Sequence, residues 1–438
     1  MSKTNRSWLL IVLLASTVSA QDAPRDSTWR DHDRAGRAAR ERGDWRAAVR
    51  HYEILDSAIH GSPRVTLAIA RAYASLGDTT RALGALHRYS LMGLTYDVTA
   101  DDQLRGITAA PGFALVQRRL TANGLARTPM EIAATMSSED FLAEGVAYDT
   151  RRRRLLVSSM RLGTVVSVSG GSAPRDFIDL KREGGWAPLG LAVDSARNRL
   201  WVSSQWMPHT LNVSAADSGK SGVFLFELES GKRLGRYDLA RGNHEPGDIC
   251  VGANGDLFVS DGRAGVMYKL PLGADTLSML VPAGQMVSPQ GCAVDLTGGN
   301  ARVLVADYAL GIASVDASTG AVTWLPRSRE VAVSGIDGML LSGDQLIGAQ
   351  NGVEPNRIVA IQLGANHQSI ESVGVLAQDS DRIREPTHVT MMGREVAFVA
   401  NGGFGAFDAT GKRNPQARLR APVIGRVRLV AVTSRGLH

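Results

Sequence analysis

The stretch Gly335-Ile-Asp-Gly-Met-Leu-Leu-Ser-Gly-Asp-Gln-Leu-Ile-Gly-Ala-Gln-Asn-Gly-Val-Glu-Pro-Asn-Arg-Ile-Val359 holds an acid among small residues and two apolar runs parted by a turn, then enters a third run. Its opening recurs. A small or polar residue followed by a short apolar strand appears six times, as EGVAYD (from Glu144), LGLAVD (Leu189), GDICVG (Gly247), QGCAVD (Gln290), DGMLLS (Asp337) and THVTMM (Thr387). A second strand follows each: LLVSS, LWVSS, LFVSD, VLVAD, LIGAQ and AFVAN. Third strands such as GVFLFEL and RIVAIQL come next, and a fourth is visible in most units. Six units of four antiparallel strands predict a mainly β fold, a six-bladed β-propeller over 130–430. MEIAATM (Met130 to Met136) belongs to no unit, so it or the C-terminal PVIGRVRLV is expected to complete the last sheet.

Ahead of the propeller, 27–123 reads as helix. RGDWRAAVRHY (Arg42 to Tyr52) and LGDTTRALGAL (Leu76 to Leu86) align with their Gly-Asp pairs 34 residues apart. Ala48 and Ala82 take the small-residue position between paired helices, Gly36 and Tyr73 fit once each, and Pro63 falls between units. This pattern resembles the tetratricopeptide repeat. Two repeats are few for a free array, so the domain is expected to lean on the propeller, either as a groove for a protein or peptide partner or as a structural cap.

The chain has 438 residues, ordinary charge and a formal net charge of +6, which includes Lys3 and Arg6. Those two precede the apolar run from Trp8 to Val18, with Val18-Ser19-Ala20 as a cleavage site. Residues 1–20 therefore read as a secretory signal peptide, and the mature protein as secreted or periplasmic with no membrane span. The four arginines from Arg151 to Arg154 lie between apolar runs and lack an aromatic platform, so they read as a solvated hairpin turn and not as a nucleic-acid contact. Cys250 and Cys292 fall at opposite parity on neighbouring inner strands and are expected to be buried free thiols on different faces. Trp186, Trp201, Trp206 and Trp324 read as blade packing, and His244 as loop. Asn212 begins an Asn-Val-Ser glycosylation pattern.

In a propeller the first strands of all units line one tunnel, so Glu144, Leu189, Gly247, Gln290, Asp337 and Thr387 form a ring at its mouth. Glu144, Gln290 and Asp337 offer hard oxygen donors suited to a divalent cation, calcium or magnesium before zinc. The ends of the second strands should rim the same pocket as substrate contacts: Ser204, Asp261, Asp307, Gln350 with Asn351, and Asn401. Asp248 and His388 each follow a ring position and are the candidate general bases. The alternative is that strand-entry acids merely satisfy turns.

EGVAYD, PQGCAVD and GIDGMLL resemble the three metal-ligand segments of the senescence-marker-protein/gluconolactonase family, which includes regucalcin. The resemblance implies a six-bladed propeller with a cation at the tunnel mouth, held by Glu144 and Asp337, with Gln290 where the family has Asn. The family's substrate-contacting Asn of blade three is Gly247 here. It implies a metal-dependent lactonase or ester hydrolase of small molecules, probed against the rival of a non-catalytic scaffold or ligand sensor whose helical repeats recruit a partner.

Overall fold

A computed structural model describes residues 28–429; the signal-peptide reading of 1–20 falls outside them. Four helices form two hairpins: α1 (Trp29–Glu41) with α2 (Trp45–Ala58), and α3 (Pro63–Ser75) with α4 (Thr79–Leu91). The repeated Gly-Asp pair makes each intervening turn. Gly43 and Gly77 adopt positive φ, while Asp44 and Asp78 cap the next helix by accepting from the Ala47 and Arg81 amides, each at 3.0 Å. Ala48 and Ala82 are fully buried where paired helices touch, and a Cβ on Gly36 would stand 2.6 Å from the Tyr52 ring. A fifth helix, α5 (Phe113–Asn123), follows.

From Glu131 to Arg428 the chain forms six four-stranded antiparallel sheets. The inner strands are Ala143–Asp149, Ala187–Asp194, Pro246–Val251, Pro289–Asp295, Ile336–Ser342 and Val389–Met392, each beside the next, with the first against the last. Both candidate closing segments are used. The sixth sheet runs Val389–Met392, Glu395–Val399, Val423–Arg428 and, outermost, Glu131–Thr135. The Arg151–Arg154 run is the turn between paired Asp149 and Arg154, as expected. Among the described residues no helix is long and apolar enough to cross a membrane.

The cysteine expectation is corrected: Cys250 and Cys292 form a disulfide. Opposite parity is what lets them meet. Around a ring, the face a blade turns toward its successor packs on the opposite face of that successor. Ile249 lies in the core shared with blade two, so Cys250 faces blade four, where it joins Cys292, Val303 and Val305.

The helical domain sits on blades four and five through two arginines, Arg357 buried and Arg327 half-buried. Arg327 donates to the Ile59 and Gly61 carbonyls at 2.9 and 2.8 Å, at the end of α2. Arg357 donates to Gly93 and Met92 at 2.9 and 3.3 Å, at the end of α4. Ile59 and Gly93 are equivalent positions of the two hairpins. Each hairpin thus seats the negative end of its second helix on one propeller guanidinium.

Candidate functional site at the tunnel mouth

In the first five blades the register slips by one residue near the start of the inner strand, between Ala143 and Val146, for example, and between Ile336 and Met339. Each bulge contains the ring residue and the one after it, and so aims them at the tunnel. The freed amides are satisfied locally: Gly145 donates to Ser158 Oγ at 2.7 Å, Gly190 to Ser203 Oγ at 2.9 Å and Asp248 to Ser260 Oγ at 3.1 Å. The recurring serine of the second strand is therefore a bulge clasp.

The residue after the ring position is glycine in four blades: Gly145, Gly190, Gly291 and Gly338. A Cβ at any of them would meet the neighbouring blade at 2.3–2.6 Å. Only blades three and six depart from the pattern, with Asp248 and His388, and in a ring of six these blades stand opposite each other. Their side chains meet across the tunnel, with His388 Nε2 2.5 Å from Asp248 Oδ1 and both residues buried. This crossbar separates a mouth cavity of about 410 Å³ from a lower chamber of about 280 Å³, and both residues border both spaces.

Above the crossbar the mouth gathers Glu144, Asp337, Gln290, Thr387 and Asn351 from the expected ring and rim. Glu245, Ser288, Tyr308, His209 and Phe404, which carry no repeat signal, complete its wall. Glu144 and Asp337 flank blade six, which links them: Thr387 Oγ1 donates to the Glu144 carbonyl at 2.5 Å, and the Gly338 amide donates to the Thr387 carbonyl at 2.6 Å. Asp337 accepts from Asn351 Nδ2 at 2.8 Å, and Asn351 Oδ1 accepts from the Tyr308 hydroxyl at 2.8 Å. Burial, then the Asp337 charge, pushes the Glu144 carboxyl well above the carboxylate range, against the pull of His388. Burial likewise raises Asp337, opposed by His388 and the Asn351 hydrogen bond. Burial alone would lower His388, but the Asp248 charge and hydrogen bond, with Glu144 and Asp337, outweigh it and hold the imidazole at about 10.

That changes the reading of the candidate bases. The Asp248 charge and hydrogen bond favour the protonated imidazole, so the two candidate bases are engaged with each other across the tunnel. Gln290 donates its Nε2 to Ser288 Oγ at 3.1 Å, and its amide lies over Gly247 and Gly262, filling space that a side chain in blade three would need. Among the described residues no three His, Cys, Asp or Glu side chains converge to hold a metal. A cation here would rest on the two carboxylates with amide oxygen or solvent.

The rim expectation fails for most second-strand ends, for one shared reason. These residues tie down a segment of their own blade, the entry to the inner strand for Ser204, Asp261, Asp307 and Gln350 and the entry to the third strand for Asn401. Asp307 accepts from the Val287, Ser288, Ala309 and Leu310 amides, and Asp261 from His244 and the Glu245 and Ala264 amides. Ser204 holds the Trp186 amide, Gln350 the Ala332 and Ser334 carbonyls, and Asn401 the Ala421 carbonyl and Val423 amide. Asn351, one residue further on, is the rim residue that reaches the cavity.

No family model and no curated protein matches this chain. Among solved structures it is similar to a gluconolactonase from Xanthomonas campestris (14% identity, 70% of this chain and 98% of that one, TM-score 0.44). It is similar also to the PQQ-bound aldose sugar dehydrogenase of Streptomyces coelicolor (14%, 69% and 99%, 0.45) and to a streptogramin B lyase (12%, 69% and 98%, 0.44). Likeness at this level carries no argument about chemistry, which has to come from the site itself.

Proposed function

We propose that this is an exported, divalent-cation-binding propeller that hydrolyses a small ester or lactone at the tunnel mouth. One observation carries the reading: Glu144 and Asp337, remote in sequence, share the mouth cavity, where burial pushes both carboxyls up although His388 pulls the other way. Such a pair takes up either protons or a cation, and its oxygen donors suit calcium. The Cys250–Cys292 disulfide supports the exported reading, since disulfides persist in oxidising compartments. A cation held there would supply Lewis-acid polarisation of a substrate carbonyl. The residues do the rest. Asn351 and Tyr308 orient Asp337, and the His388 imidazolium stands beneath as a fixed positive charge for negative charge that develops in the mouth. The crossbar also favours a second reading, a ligand sensor without turnover, because it occupies both residues that could have served as bases. In that case the tetratricopeptide-like hairpins would recruit the partner.

Calcium at a hundredfold excess over its dissociation constant is expected to stabilise the wild type by about 2.7 kcal/mol in thermal unfolding. Glu144→Ala and Asp337→Ala should abolish the response; a response kept by both variants removes the cation from the proposal. Hydrolysis of p-nitrophenyl acetate and of γ-lactones, with and without calcium, then separates enzyme from sensor.

The raised carboxyls also set a pH dependence. An acid whose folded pKa exceeds its unfolded value contributes stability in acid and loses it as pH climbs from the ordinary carboxylate range through the raised value. Cation-free protein should therefore lose stability from mildly acidic to neutral pH. Glu144→Gln should flatten that slope, and calcium should flatten it in the wild type. His388 contributes with the same sign but higher, fully below 6.5 and lost as pH rises through about 10. Melting temperatures across this range, with chelator and with calcium, check the sign; a cation-free protein that gains stability toward neutrality contradicts it.

A further inference from the structure

A molecule bound at the mouth has few directions in which to extend. Below it, Asp248 and His388 close the tunnel. To the side, the mouth abuts a groove of about 1040 Å³ between the two domains, walled by Leu67 and Arg71 of α3, Gln117 and Leu120 of α5, and Tyr96, and on the propeller side by the loop Asn351–Glu354. Asn351 borders both cavities, and its side chain is held between Asp337 and Tyr308 of the mouth. The Thr95 amide donates to the Glu354 carbonyl at 2.9 Å, which fixes this loop to the helical wall. With Arg357 locking the end of α4, the groove is formed before any ligand arrives.

The two cavities differ in what they ask of an occupant. The mouth holds the carboxyls of Glu144 and Asp337. In the groove most charges are already satisfied: Arg71 by Asp101 at 2.8 Å and the Tyr96 hydroxyl, Arg64 by Asp33 at 3.0 Å, and Asp97 by the Thr99 and Ala100 amides, while the exposed Glu354 accepts from Asn356 Nδ2 at 3.4 Å. The apolar surface left for a ligand is that of Leu67, Tyr96 and Val353, which favours uncharged, apolar matter.

We propose that the groove is the distal half of the ligand site, so that the natural ligand is an elongated ester or lactone. Its carbonyl end reaches Glu144 and Asp337, and an alkyl chain or apolar ring lies between the helical domain and the Asn351–Glu354 loop. This rests on the mouth being a ligand site. It makes the helical domain part of substrate recognition.

The test uses the full chain and laurdan, an uncharged naphthyl ketone with a long acyl chain that no esterase can cleave. Laurdan should bind the wild type with a blue-shifted emission. Leu67→Trp and, independently, Gln117→Trp should each weaken it by about tenfold, what roughly two buried methylenes supply. Both variants lie outside the mouth, so turnover of p-nitrophenyl acetate should be unchanged, whereas p-nitrophenyl decanoate should lose its advantage over the acetate. Absence of laurdan binding, or equal binding by all three proteins, overturns the groove. Failure of the wild type to cleave either ester sinks the hydrolase reading alone, because the laurdan result decides the groove without it.

Discussion

Replacing His388 with alanine is expected to lower unfolding free energy by roughly 3–5 kcal/mol, because it leaves the Asp248 carboxylate buried in the tunnel without its partner. Asp248→Ala should do comparable harm from the other side, leaving a buried imidazole amid Glu144 and Asp337. The informative variant is the double one. Glycine already occupies this position in four blades, where a Cβ would collide with the next blade, so Asp248→Gly with His388→Gly restores a backbone that the ring tolerates. It also leaves neither member of the pair without its partner. The double variant should therefore be more stable than the summed losses of Asp248→Gly alone and His388→Gly alone require, with a coupling of about 2 kcal/mol or more in urea unfolding. Additive losses would mean that the two residues do not act as one crossbar.

The second large effect belongs to the domain junction. Arg357 is 1% exposed, and its guanidinium serves Gln350 Oε1 at 2.7 Å as well as the carbonyls ending α4. Burial lowers it to about 10, so it remains charged at neutral pH. Arg357→Ala should cost about 3–5 kcal/mol, since each buried acceptor left unmet costs about 1–3 kcal/mol and a cavity adds to that. Lysine should not rescue it, because one ammonium cannot span three acceptors held by a planar fork. The loss should show as early release of the helical domain, read by limited proteolysis between Asn123 and Met130 before the propeller melts. Cleavage there no faster than in the wild type would contradict the proposed role of this arginine.

The repeated phrase made the propeller legible, because a strand buried on both faces keeps its apolar character in every blade. The same repeat placed Glu144 and Asp337 at one mouth. It misled where a position had a structural duty: Asp261, Asp307 and Asn401 looked like rim donors, but they anchor the segment before the inner strand or, for Asn401, before the third strand. The cysteines were misread because parity was judged within one blade, whereas contact happens between two. The crossbar was visible in principle, as the two breaks in a run of glycines that follow the ring positions. What the sequence could not reveal is the groove, since helix ends meet the propeller through backbone carbonyls, which carry no residue code, and loops such as Thr95–Asp97 and Asn351–Glu354 have no period.

The sixth sheet takes its outermost strand from Glu131–Thr135 and the neighbouring one from Val423–Arg428. Along a growing chain these pieces emerge at opposite ends of the propeller's synthesis. Five sheets can be finished in the order in which they appear, but the sixth cannot, and the hairpins wait for Arg327 and Arg357 before they have a seat. For most of its synthesis the nascent chain therefore carries an orphan strand, Glu131–Thr135, with nothing to pair with. In that interval it is the edge at which a chaperone, or a second unfinished copy, would meet this protein.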